Sequence, residues 1–105
     1  MDVTGTTWIL VADGDQARIF EERQRAGEVR EVVARHMVAE SLAEPARGGV
    51  FQGLVIMAPP RALGVLRQAL PKPAQALVEG SDPHECVRET AEDIRHRLRH
   101  LRAKA

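Results

Sequence analysis

Thr6-Thr7-Trp8-Ile9-Leu10-Val11-Ala12-Asp13 and Leu54-Val55-Ile56-Met57-Ala58 are the two stretches that decide how this chain folds. Each is an unbroken apolar run of strand length, without the alternation of a strand that keeps one face in water, so each reads as a strand buried on both faces. The first run ends at the turn signal Asp13-Gly14. The second ends at Pro59-Pro60, where a strand stops and a helix can start because proline is tolerated in the first helical turn. A strand covered on both faces implies helices on a sheet, hence an α/β fold.

Outward from these runs, Ala17 to Glu22 predicts a second strand after the Asp13-Gly14-Asp15 turn. Ala26-Gly27 leads into a third, Val29 to Val38, whose Glu31 and Arg35 suit an exposed edge. Ala39 to Gly53 reads as a loop with one helical turn near Ala39 to Ala43, since Pro45 and Gly48-Gly49 prevent a long helix. Leu63, Leu66 and Leu70 recur at helical spacing, Pro71 and Pro73 end that helix, and Gln75 to Glu79 predicts a fifth strand. Asp82-Pro83-His84-Glu85 has the composition of a capping box, so a terminal helix is expected to start there, with Val87, Ala91, Ile94, Leu98 and Leu101 on its buried stripe. Its acids lie early and its arginines late, as the helix dipole favours.

Together these elements predict a single α/β domain over residues 1–105, with a mixed five-stranded sheet and two main helices. The order is ribonuclease-H-like, with the first strand central and parallel to the fourth. The carboxyl ends of those two strands would then form a cleft, the usual ligand position in open α/β sheets, lined by Asp13, Gly14, Arg18, Pro59, Pro60 and Arg61.

The 105 residues carry 15 Lys+Arg against 15 Asp+Glu, so the chain lacks the broad basic field of a dedicated nucleic-acid binder, although a local patch is compatible with that balance. The single Cys86 cannot form an internal disulfide. No signal-peptide pattern is present, and no apolar run reaches the about eighteen residues of a membrane helix, so a cytoplasmic protein without membrane contact is expected.

Trp8-Ile9-Leu10-Val11-Ala12-Asp13-Gly14 with Ala17-Arg18-Ile19-Phe20-Glu21, and later Leu54-Val55-Ile56-Met57-Ala58-Pro59-Pro60-Arg61-Ala62-Leu63-Gly64-Val65-Leu66-Arg67, resemble the two signature blocks of the bacterial host-attachment protein family. The resemblance implies a role in attachment to host cells. It also implies kinship with bacterial proteins similar to the middle domain of archaeal and eukaryotic release factors, whose fold has the strand order argued above. The chain departs from the family pattern in the short Ala39 to Gly53 connection, where members carry a polar insert and a full helix. Release-factor hydrolysis is not implied either, because Gly48-Gly49-Val50 replaces the Gly-Gly-Gln tripeptide and Gln52 falls two places late.

Candidate chemistry is sparse. Two-metal nucleases of this strand order need several carboxylates around cations about 4 Å apart, and Asp13 is the one acid at the two strand ends, with Asp15 in the adjacent turn. The plainer reading is that Asp13 caps its turn and pairs with Arg18 or Arg61. Asp93, His96 and His100 share one helical face but lie among arginines on its wet side, which reads as a solvated face, so no metal or other cofactor is expected. Cys86, read as lying in a first helical turn, would have a lowered pKa but no base beside it.

Arg88, Arg95, Arg99 and Arg102 form a stripe suited to phosphates or an acidic partner. With three aromatic residues in the chain, and Trp8 and Phe20 expected in the core, base stacking is not expected. The functional expectation is a non-enzymatic binding domain that contacts a protein partner or structured RNA, including the ribosome. The alternative is a small hydrolase or nucleotide-binding enzyme in the same cleft. The short connection also predicts a homodimer that covers one sheet face through Val32, Ala34, Met37, Val38 or the Leu42 and Phe51 region.

Overall fold

The computed structural model describes residues 5–32 and 42–104. Five strands form one mixed sheet in the order β3-β2-β1-β4-β5. They are β1 (Thr7–Ala12), β2 (Ala17–Glu22), β3 (Val29–Val32), β4 (Gly53–Met57) and β5 (Val78–Asp82). β1 is antiparallel to β2 and parallel to β4, with Ile9 beside Val55 and Val11 beside Met57. The parallel pairing of the two apolar runs is therefore observed. Beyond Val32, the expected extension of the third strand and its candidate interface residues Ala34, Met37 and Val38 lie outside the described residues, as does most of the helical turn placed at Ala39 to Ala43.

Helices cover both faces. Ile9, Val11, Phe20, Val55 and Met57 pack against Ile94 and Leu98 of the terminal helix α4 (Ala91–Ala103), with Cys86 and Val87 from the loop before it. The opposite face sets Trp8, Leu10, Ile19, Leu54 and Ile56 against Leu42, Phe51, Leu70 and Ala74. Three helices support that side: α1 (Ala43–Arg47), α2 (Pro60–Ala69) and α3 (Lys72–Gln75). α2 begins with Pro60 at its first position and turns Leu63 and Leu66 toward the sheet. Among the described residues, no helix is long and apolar enough to cross a membrane.

Several sequence expectations are corrected. The terminal helix starts at Ala91, where Thr90 Oγ1 accepts from Asp93 N–H and Asp93 Oδ2 accepts from Thr90 N–H. Asp82 is the last residue of β5, held in register by its pairing with Met57 and by Ala58 N–H donating to its carbonyl at 3.0 Å. The fifth strand accordingly lies three residues later than expected. α3 occupies Lys72–Gln75 because Pro73 sits in its first turn and forfeits no internal hydrogen bond. Gly80 admits α4 closely, since a Cβ there would lie 3.3 Å from Leu101 Cδ2.

Of the alternatives named for a homodimer interface, the Leu42 and Phe51 region is used inside the chain itself. Both side chains are buried within the protomer, and Phe51 stacks on Trp8 with ring centroids 4.8 Å apart. They are therefore unavailable to an interface. Phe51→Ala should lower unfolding free energy by about 3–5 kcal/mol in urea titration, because it empties an aromatic site in the core. Val65→Ala, on the exposed side of α2, should change it by no more than about 0.5 kcal/mol.

Candidate functional site

At the carboxyl ends of β1 and β4, Asp13 and Gly14 follow one strand while Pro59, Pro60 and Arg61 open α2 after the other. Asp13 Oδ1 accepts from the backbone N–H groups of Asp15 and Gln16 at 2.7 and 2.8 Å, and those donors hold its carboxyl below the usual range. It caps its own turn, so the pairing expected with Arg18 or Arg61 is replaced by backbone contacts.

Arg18 lies on the α4 side of the sheet. Its Nε and Nη2 donate to Glu31 at 2.9 and 2.8 Å, while Nη1 donates to the carbonyls of Val87 and Glu89, both at 2.7 Å. The guanidinium stands 4.7 Å over the Phe20 ring. Glu31 raises the Arg18 pKa, and Arg18 in turn lowers that of Glu31. Arg18 thus fastens the 83–90 loop to β2 and β3, whereas α2 packs against the other face. The six expected cleft residues do not converge as one set of free side chains.

The arginine stripe also divides. Arg88 is exposed in the loop before α4, off the helix on which it was expected. Arg102 is largely enclosed: Nη1 donates to Glu22 Oε2 at 2.9 Å, and Nη2 donates to Thr7 Oγ1 at 3.0 Å and to Glu79 Oε1 at 3.3 Å. Burial opposes its charge, but the Glu22 hydrogen bond and the two carboxylates outweigh it and raise the Arg102 pKa. Glu22 is buried, and its Oε2 also accepts from Ala26 N–H, where the chain turns through a φ of 65°.

Around this pair opens a cleft of about 280 Å³ in which Arg25, Arg95, Arg99 and Arg102 surround the single carboxylate of Glu22. The Nε atoms of Arg95 and Arg102 are buried there without a hydrogen-bond partner among the described residues. Arg25 had drawn no attention in the sequence, because it belongs to the β2–β3 turn and meets α4 only through the tertiary fold.

A second groove, about 450 Å³, runs between the end of β5 and α4, with His84, His96, His100 and Lys104 on its banks and Asp82 and Arg97 deeper in. Asp82 Oδ1 contacts His84 Nδ1, and Oδ2 lies 3.6 Å from Arg97 Nη1. Glu89 accepts from Arg97 through both carboxylate oxygens, at 2.6 and 2.7 Å, and raises the Arg97 pKa. Asp93 is engaged in the helix cap, where the Thr90 backbone N–H and hydroxyl lower its pKa, and does not join His96 and His100. Among the described residues no group of three His, Cys, Asp or Glu is placed to hold a metal ion.

Cys86 is buried before the helix, and burial pushes its thiol up to about 11, the reverse of the lowering expected for a first helical turn. The folded thiol therefore stays neutral after an unfolded one ionises, and its contribution to stability is lost as pH rises from about 9 toward 11. A thiol reagent at about pH 8 should label the native chain slowly. Arg18→Ala, which releases the 83–90 loop, should raise that rate about tenfold or more by local opening, while Arg61→Ala leaves it unchanged.

A family model of proteins required for attachment to host cells matches residues 33–98. A search of curated proteins finds no match. The matched segment runs from the region after β3 through β4, α2 and β5 into α4, and contains the Leu54 to Arg67 block; the Trp8 to Glu21 block precedes it. Because the match spans well over half of the sequence, the chain belongs to the family of proteins required for attachment to host cells.

Proposed function

We propose that this member of the family is a non-enzymatic binding domain that holds structured RNA by its phosphates along the arginine-lined flank of α4. The observation that carries the reading is the cleft in which four guanidiniums surround one buried carboxylate, with Glu92 3.6 Å from Arg95 as a further acid nearby. An arriving oxyanion would meet the outer amino groups of Arg25, Arg95 and Arg99, because the Nε atoms of Arg95 and Arg102 are shielded from solvent. Guanidinium also matches the fork geometry of phosphate.

Trp8, Phe20 and Phe51 are all buried, so none of the three is offered to unstacked bases. Backbone contact to a folded RNA therefore fits better than capture of a single strand. The strand order β3-β2-β1-β4-β5, similar to that of ribonuclease-H-like folds, supports the same reading, and kinship with release-factor middle domains and a cytoplasmic, RNA- or ribosome-associated setting are part of this proposal. Self-pairing remains part of the proposal, through surfaces other than Leu42 and Phe51. The alternative, a hydrolase or nucleotide-binding enzyme at Asp13, has less support because that carboxylate is engaged in its own turn.

Fluorescence anisotropy with a labelled RNA hairpin tests this. At about 50 mM salt the double variant Arg95→Ala/Arg99→Ala should bind about tenfold or more weakly, with a log–log salt slope reduced by about 1–2. Arg61→Ala should bind like the parent. Equal binding by the double variant, or binding indifferent to salt, overturns the assignment.

A further inference from the structure

The groove on the opposite flank of α4 has a different chemistry. The helix presents His96, His100 and Lys104 four residues apart, a line with about 6 Å between successive positions. His84 faces this line from the segment after β5, and its Nδ1 contact with Asp82 leaves Nε2 as the nitrogen free for a ligand. Pro83 and Leu101 add apolar wall. The volume of about 450 Å³ falls within the ordinary range for small-molecule sites.

The charges around the groove are balanced by fixed pairs. Arg97 is clamped by Glu89 and lies near Asp82, and Glu92 approaches His96 Nε2 at 3.7 Å and Arg95 Nη1 at 3.6 Å. With the imidazoles neutral, Arg95, Arg97 and Lys104 stand against Asp82, Glu89, Glu92 and Asp93, the last one helical turn before His96, so the surroundings are slightly negative and repel an anion. Three protonated imidazoles reverse that sign. Histidine is the side chain that makes this change near neutral pH, and a phosphate monoester still carries between about one and two negative charges there.

We propose that the groove bounded by His84, His96, His100 and Lys104 is a binding site for a small phosphate-bearing molecule, occupied when the imidazoles are protonated and emptied as they lose their protons. Lys104 and the imidazole N–H groups take the phosphate oxygens, and the organic body rests on Pro83 and Leu101. The paired state of Asp82 makes this possible, because its carboxylate is already answered by His84 and Arg97. The site is separate from the arginine cleft, so neither proposal depends on the other.

NMR titration of the full chain, following the histidine ring protons with inorganic phosphate and then with adenosine monophosphate, tests it at about pH 6 and about pH 8. The expected result is saturable shifts of His84, His96 and His100 at the lower pH and binding about tenfold or more weaker at the higher. Bound phosphate should also raise the titration midpoints of the three rings, a linkage that a purely structural role would not produce. His84→Ala and His100→Gln, both at exposed positions, should each weaken binding, while Arg95→Ala/Arg99→Ala should not. No saturable shift at about pH 6, equal affinity at both pH values, or loss of binding only in the arginine variant overturns the site. Adenosine monophosphate binding no more tightly than inorganic phosphate overturns the placement of an organic body on Pro83 and Leu101.

Discussion

The parallel pairing of β1 with β4 is the constraint on which the rest of the molecule depends. Both strands are buried at every residue and apolar from Trp8 to Ala12 and from Leu54 to Met57, so neither can serve a sheet that leaves one side in water. Two parallel neighbours must also be joined by a crossover, and the chain between them supplies one in Leu42, α1 and Phe51, which cover the Trp8 face. α2 and α3 form the next crossover, between β4 and β5, on that same face. Among the described residues, α4 and the Cys86 and Val87 segment before it close the other. The terminal helix therefore helps to seal half of the core and carries both candidate ligand surfaces on its flanks.

That arrangement explains how the arginines are used. Those whose strands or helix place them over the sheet edge are recruited inward. Arg18 ties the 83–90 loop to the meander, and Arg102 crosses from α4 to Glu22, Thr7 and Glu79. Removing one partner of a buried pair strands the other charge, so contacts such as Arg102 with Glu22 are held in place by the penalty of breaking them rather than by a large net gain. Arginines one helical step away, Arg95 and Arg99, meet Arg25 across the cleft, and Arg95 is offset in part by Glu92 at 3.6 Å. The excess of positive charge is local in a chain whose overall charge is zero.

β1 and β4 were the most legible elements of the sequence, because an unbroken apolar run needs no knowledge of its neighbours to be read. The buried stripe Ala91, Ile94, Leu98 and Leu101 was legible for the same reason. The start of α4 was not. Asp82-Pro83-His84-Glu85 and Thr90-Ala91-Glu92-Asp93 both carry cap chemistry, and the choice is made by the pairing of Asp82 with Met57, across the sheet. Long-range contacts likewise decide which of the expected site residues are free. Arg18 meets carbonyls 69 and 71 residues away, which no spacing rule anticipates, and so it is a structural tie rather than a free cleft residue. Arg95 and Arg99 were visible as a stripe, while the turn residue Arg25 that completes their cleft, and the groove at His84, exist only once the strands are assembled.

We propose that ligand recognition belongs to the flanks of α4 and not to the ends of β1 and β4. The most direct measurement is a map of backbone amide shift changes on adding a short RNA hairpin to the isotope-labelled chain. The account requires the largest changes at Arg25 and Ala26 and along Arg95 to Ala103. Changes concentrated instead at Asp13, Gly14 and Arg61 to Leu63, with α4 undisturbed, would contradict it.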